Sequence, residues 1–146
     1  MTAIRFSAVA LVATLALLTT PCANAEVVSP ETVPGTTYVG GSEARNLFDR
    51  GVPFIDVRVV ADYDAGRIPG AVNLTIQEDE ASSVFTEESL LAEIGSKDAL
   101  VVFYCNSTSC WRTAAAAERA VGWGFTGIHY YRLGFPDWQQ HGFPVE

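Results

Sequence analysis

The chain has 146 residues, of which 49% are hydrophobic, and a formal net charge of -8. That supports one packed acidic domain. It excludes a nucleic-acid binder, because an acidic surface repels phosphate backbones and no basic stripe with interleaved aromatics is present.

The first segment reads as a leader rather than as part of the fold. Arg5 supplies a positive start, Phe6 to Leu18 is an uncharged apolar run, and Ala23-Asn24-Ala25 offers a small-x-small cleavage site. The run is too short to cross a bilayer, and Pro21 fits poorly before Cys22 as a lipoprotein site. The expected plan is a signal peptide over 1–25, an extended arm over 26–36 and one domain over 37–146. Cleavage after Ala25 implies a periplasmic or secreted protein with no stable membrane anchor.

Beyond the leader the elements alternate. Glu26 to Thr36, rich in Pro, Val and Thr without a period, reads as extended. Thr37 to Val39 is a short strand. Ser42 is the expected cap of a helix to about Arg50, with Ala44, Leu47 and Phe48 on one face and Gly51 as its stop. Pro53 to Val57 reads as a buried strand, Ala61 to Gly70 as a turn-rich passage, and Ala71 to Leu74 as the approach to a polar loop. Thr86 caps a helix over EESLLAEI, ended by Gly95. Ala99 to Tyr104, ALVVFY, is the most apolar run after the leader and reads as a central strand. A helix is expected from about Cys110 to Val121, a strand over Gly127 to Tyr131 and a last short helix over PDWQQHG. Strands separated by helices place the domain in the α/β class, with a mainly parallel sheet covered by helices on both faces.

Two motif matches fail on context. Gly122-Trp123-Gly124-Phe125-Thr126-Gly127 fits the letters of the dinucleotide fingerprint, but it follows a helix and precedes a strand. A bound phosphate needs the reverse order, with a helix N-terminus just after the glycines. Two scattered histidines and the cysteines beyond the leader are too few for a finger or deaminase zinc site.

The unit with chemistry is the strand, the cysteine and the loop that follows it. Sites in open α/β sheets form beyond the carboxyl ends of strands, and Cys105 stands directly after ALVVFY. Residues Asn106, Ser107, Thr108, Ser109 and Cys110 then lead into a helix. Backbone N–H groups of such a loop can curl around one point, and the helix N-terminus adds a partial positive charge. That field favours thiolate over thiol and makes Cys105 a nucleophile near neutral pH. The plain alternative for Cys105 is a buried structural thiol. For the pair it is a structural disulfide, which over so short a loop contributes roughly 2 kcal/mol. Asp56 and Arg58 form an expected structural pair at a strand end, with Arg58 a candidate for shaping the electrostatics of the site.

At this point the chain resembles the rhodanese-like domain family, from about Tyr38 to Glu146. The resemblance is carried by FIDVR at 54–58, DYDAGRIPGAVNL at 62–74, VVFYC ending at Cys105, and LGFPDWQQHGFPVE at 133–146. It implies sulfur transfer: Cys105 takes the sulfane sulfur of a small donor, carries it as a persulfide within residues 106–110 and passes it to a thiol acceptor. No metal or organic cofactor is implied. The C-x4-C-W run, with Trp111 after Cys110, also resembles an exported subset of the family, some of whose members are associated with periplasmic redox systems; a periplasmic redox partner is the corresponding expectation.

The departures from the family pattern are at informative places. Where the family often has glycine and arginine after its cysteine, this chain has Thr108 and Cys110. Losing the arginine removes a fixed cation for an anionic donor, which leaves thiosulfate in doubt. Arg112 is the nearest substitute, facing either the loop or solvent, and Arg67 replaces a usual histidine, with an expected structural role near Asp62 or Asp64. Three functions stay open: an exported sulfurtransferase, a thiol–disulfide redox protein in which Cys110 resolves Cys105, and a binding module that keeps the fold without the chemistry.

Overall fold

A computed structural model describes residues 28–146; the expected leader lies outside the described residues. Strands β1 (Thr37–Tyr38), β2 (Phe54–Asp56), β3 (Val72–Asn73), β4 (Val101–Tyr104) and β5 (Ile128–Tyr131) form one sheet in the order β1-β5-β4-β2-β3. Every pairing is parallel. The helices are α1 (Gly41–Asp49), α2 (Val60–Ala65), α3 (Glu87–Ile94), α4 (Arg112–Gly122) and α5 (Gly134–Gln140), with a short 3-10 turn at Glu80–Ser82.

Alternation along the central strands divides the core into two layers. Ile55, Val57, Val101, Phe103, Ile128 and Tyr130 face one way, onto Leu90 of α3 and the alanine stripe Ala114, Ala116, Ala117 and Ala120 of α4. Phe54, Val102, Tyr104 and Tyr131 face the other, onto Ala44 and Leu47 of α1 and Phe135 and Trp138 of α5. The alanines let α4 lie close to the sheet behind the loop that precedes it. The expected α/β class and the cover of helices on both faces are what the structure has.

Thr86 caps α3 as the sequence predicts, and Ser89 returns the bond to the Thr86 N–H, completing a capping box. Three elements differ from expectation. Helix α1 starts at Gly41 after Gly40, so Ser42 lies inside its first turn and caps nothing. The passage read as turns contains α2, which has neither a side-chain cap nor a buried residue, the two features that mark a helix in sequence. Helix α4 starts at Arg112 rather than Cys110, because the Cys110 N–H donates to the Ser107 carbonyl at 3.0 Å and closes a turn first.

Candidate functional site

The site lies where strand order reverses. From β2 the chain runs outward to β3, then returns to β4 on the other side of β2; the crevice beyond the carboxyl ends of β2 and β4 is the switch point of the sheet. Asp56 and Arg58 stand on one side of it and Cys105 on the other.

Cys105 is 1% exposed and bonded to Cys110, with their Cα atoms 6.3 Å apart. Its backbone is fixed from α5: the Phe135 N–H donates to the Cys105 carbonyl at 2.8 Å. Gly134 makes that approach possible. Its φ is +67°, and a Cβ there would overlap the Cys105 carbonyl oxygen and lie 2.9 Å from its carbon.

The loop is held at three further points. Arg58 Nη1 donates to Asn106 Oδ1 at 3.3 Å, and Asn106 Nδ2 donates to Asp62 Oδ2 at 2.7 Å. Thr108 is tied from the arm: the N–H and Oγ of Ser29 both donate to its carbonyl, at 2.6 and 2.8 Å. Within the loop, Ser107 Oγ accepts from the Ser109 N–H at 3.3 Å and lies 2.8 Å from Ser109 Oγ. The expected cradle is therefore partly spent, since the Ser109 and Cys110 amides bond inside the loop.

Arg58 is the buried cation of the site, its side chain 3% exposed against a fully buried Asp56. Its Nε donates to both Asp56 oxygens at 3.0 Å and its Nη2 to Oδ2 at 2.6 Å; Nη2 also donates to the Gly66 carbonyl at 2.7 Å. The guanidinium lies over the rings of Phe135 at 4.6 Å and Tyr104 at 5.6 Å. Burial opposes its charge, but the hydrogen bonds and charge of Asp56 outweigh burial and hold its pKa above the ordinary value. Burial, with the charge of Asp56, pushes the Tyr104 phenol up, so it remains neutral. The Asp56–Arg58 pair is as expected, and it also reaches the cysteine loop through Asn106.

Other candidates are placed elsewhere. Arg112 turns toward the end of β3, where its Nε donates to the Ile76 carbonyl at 3.2 Å, and its guanidinium lies 5.0 Å over the Trp111 ring. Neither contact aims its charge at Cys105. Trp111 packs as a half-buried flank of the core layer behind the loop. Arg67 does not settle on Asp62 or Asp64; its Nη2 meets Glu146 Oε1 at 2.6 Å because the last residues fold back along it, with backbone bonds of 3.0 Å in both directions between Arg67 and Glu146. Among the described residues no group of acidic, His and Cys side chains could hold a metal ion.

Two contributors were invisible in sequence. Ser29 sits in a segment without a period, and only the folded arm brings it to Thr108. Thr113, 1% exposed in the first turn of α4, leaves its Oγ1 without a hydrogen-bond partner among the described residues. A threonine in an alanine-rich helix gives no warning of that.

The Rhodanese-like domain model matches residues 41–141 of this sequence. The chain belongs to the rhodanese-like domain family. Similar proteins include the senescence-associated protein DIN1 of Raphanus sativus, 27% identical over 132 residues, which cover 88% of this chain and 70% of that one. A stretch of 38 residues is 42% identical to the tRNA 2-selenouridine synthase of Bdellovibrio bacteriovorus; it covers 26% of this chain and about a tenth, 10%, of that enzyme's length. Among solved structures, the human single-domain sulfurtransferase TSTD1 superposes with a TM-score of 0.54 at 26% identity, over 73% of this chain and 96% of that one. The rhodanese-like domain described here thus has a sulfurtransferase-type fold.

Proposed function

We propose that this rhodanese-like domain is an exported sulfurtransferase that carries sulfane sulfur on Cys105 and passes it to a thiol acceptor. The observation that carries the reading is the place of Cys105: buried at the carboxyl end of the central strand, beside the switch point, with its carbonyl locked by Phe135. Membership of the family and the likeness to a single-domain sulfurtransferase support it. The apolar run before Ala25 supports export.

The oxidised pair must first be opened, because a disulfide sulfur is not a nucleophile; two electrons from a thiol reductant supply that step. The Cys105 thiolate then attacks the outer sulfur of a donor. A new S–S bond forms, the donor's own bond to that sulfur breaks, and the remainder leaves with the electron pair. An acceptor thiolate next attacks the outer sulfur and releases Cys105 as thiolate. Arg58 is committed to Asp56 and Arg112 to Ile76, so a persulfide donor of lower charge suits the site better than a dianion such as thiosulfate.

The bond between Cys105 and Cys110 favours a second reading, thiol–disulfide exchange without sulfur transfer. Intact-mass spectrometry of the reduced Cys110→Ser chain after polysulfide treatment separates the two. Sulfur transfer requires the gain of one sulfur on Cys105 and its loss to an added thiol. A Cys110→Ser chain that gains no sulfur from polysulfide or thiosulfate removes the sulfurtransferase reading.

A further inference from the structure

We infer that Cys110 discharges the persulfide on Cys105: its thiolate attacks Cys105 Sγ, closes the disulfide and expels the outer sulfur as hydrosulfide, so the domain reduces sulfane sulfur to sulfide at the expense of an external dithiol. The inference rests on the reading of Cys105 as a persulfide carrier and names the thiol that discharges it, the product and the partner class that the reading leaves open.

Three observations lead there. First, the two sulfurs are within bonding reach, with Cα atoms 6.3 Å apart, inside the span a disulfide bridges without backbone movement. Second, that bond is not the loop's sole restraint. Asn106 is held by Arg58 and Asp62, Thr108 by Ser29, the Cys105 carbonyl by Phe135, and residues 107–110 by their own turn. Opening the disulfide therefore leaves Cys110 facing Cys105 rather than releasing it. Third, access to the two sulfurs is unequal. Cys105 is 1% exposed, whereas Cys110 is only partly buried at the margin of the same apolar layer. A bulky acceptor thiol is kept from Cys105, while Cys110 is already beside it. A preorganised neighbour competes as though present at a concentration far above any free thiol, with effective molarities that reach about 10⁵ M in well-oriented cases.

The step balances without an oxidant. The electron pair of the Cys110 thiolate forms the Sγ–Sγ bond, the bond from Cys105 Sγ to the outer sulfur breaks, and that sulfur leaves as hydrosulfide with one proton. The outer sulfur is reduced by two electrons, and the two cysteines together are oxidised by two. Turnover then needs two electrons and two protons from a dithiol, which meets the disulfide at its more accessible sulfur, Cys110. In a reaction sequence the domain follows a step that generates polysulfide or persulfide and draws on a dithiol–disulfide carrier.

The test uses the purified reduced protein under anaerobic conditions, polysulfide as the donor, and intact mass and sulfide as readouts. The wild type should finish as the disulfide form without added sulfur. The Cys110→Ser chain should retain one extra sulfur, and, once freed of donor, release sulfide at least about tenfold more slowly than the wild type forms its disulfide. Ser29→Ala, which loosens Thr108 while leaving both thiols, should lengthen the persulfide's lifetime in the wild-type background. A wild type that holds the sulfur adduct as long as Cys110→Ser overturns the discharge but leaves sulfur transfer standing. A Cys110→Ser chain that never gains sulfur overturns sulfur transfer itself. A Cys105→Ser chain that loads sulfur on Cys110 as readily as Cys110→Ser loads it on Cys105 overturns the assignment of roles.

Discussion

Replacing Gly134 by alanine tests whether the close approach of α5 to Cys105 is built into the site. Two costs are expected. The φ of +67° imposes about 1–2 kcal/mol on any residue with a Cβ. The new methyl would overlap the Cys105 carbonyl oxygen, so either the strand end or α5 must retreat, and the 2.8 Å bond from the Phe135 N–H is lost, at about 1 kcal/mol. Together the two costs amount to about 2–3 kcal/mol, or roughly 10 °C in melting temperature for a domain of this size. Gly142→Ala is the control: its φ is +69° and nothing lies within 4 Å of a Cβ there, so only the conformational cost of about 1–2 kcal/mol should appear. Urea denaturation of both variants, with the rate of disulfide closure between Cys105 and Cys110 as a site readout, gives the comparison. If Gly134→Ala loses no more stability than Gly142→Ala and closes its disulfide at the wild-type rate, the interlock between α5 and the cysteine is not what positions it.

Arg58→Met leaves the fully buried Asp56 without its cation and should destabilise the domain by about 3–5 kcal/mol in urea melts, with Asp56→Asn/Arg58→Met recovering part of the loss; equal losses in the single and double variants would contradict this. Thr113→Val removes a buried hydroxyl with no partner among the described residues and should raise stability by about 1 kcal/mol, measured the same way. A loss instead would mean that the hydroxyl has a use the fold alone does not reveal. Burial holds the Tyr104 and Tyr131 phenols above their ordinary value of 10.0, helped by Asp56 at the first and Asp137 at the second. Their unfolded forms ionise more readily, so their contribution is complete below about pH 10 and is lost as pH rises further. Tyrosinate absorbance from these residues should therefore appear together with unfolding in an alkaline titration; smooth ionisation in an intact fold would refute the burial argument.

What could be read in advance follows physical locality. The strand interiors Phe54–Asp56, Val101–Tyr104 and Ile128–Tyr131 were legible as short apolar runs, and α3 was legible because Thr86 and Gly95 bracket it with side-chain and backbone signals. Helix α2 was not, since it buries no residue and its N-cap is Val59. In the site, Cys105 could be placed by its strand, and Asp56 and Arg58 by the strand end at which they stand. Their link to Asn106, and that of Ser29 to Thr108, could not, because each joins segments far apart in the chain through polar side chains that carry no periodic signal. The turn from Ser107 to Cys110 shortened α4 for a similar reason: a single hydrogen bond decided where the helix begins.

The two ties that close the region, Ser29 to Thr108 and Arg67 to Glu146, each span 79 residues of sequence. Contacts of such separation require most of the chain to be ordered before they can form, and, the buried Ser29 apart, they bear on exposed or half-exposed groups outside the hydrophobic core. Amide hydrogen exchange should accordingly show residues 106–110 and 145–146 opening well below the free energy of global unfolding, while β4 exchanges only with it. The two cysteines thus stand on either side of a boundary between a strand that opens only globally and a loop that opens locally, which gives a reductant access to Cys110 without asking the domain to unfold.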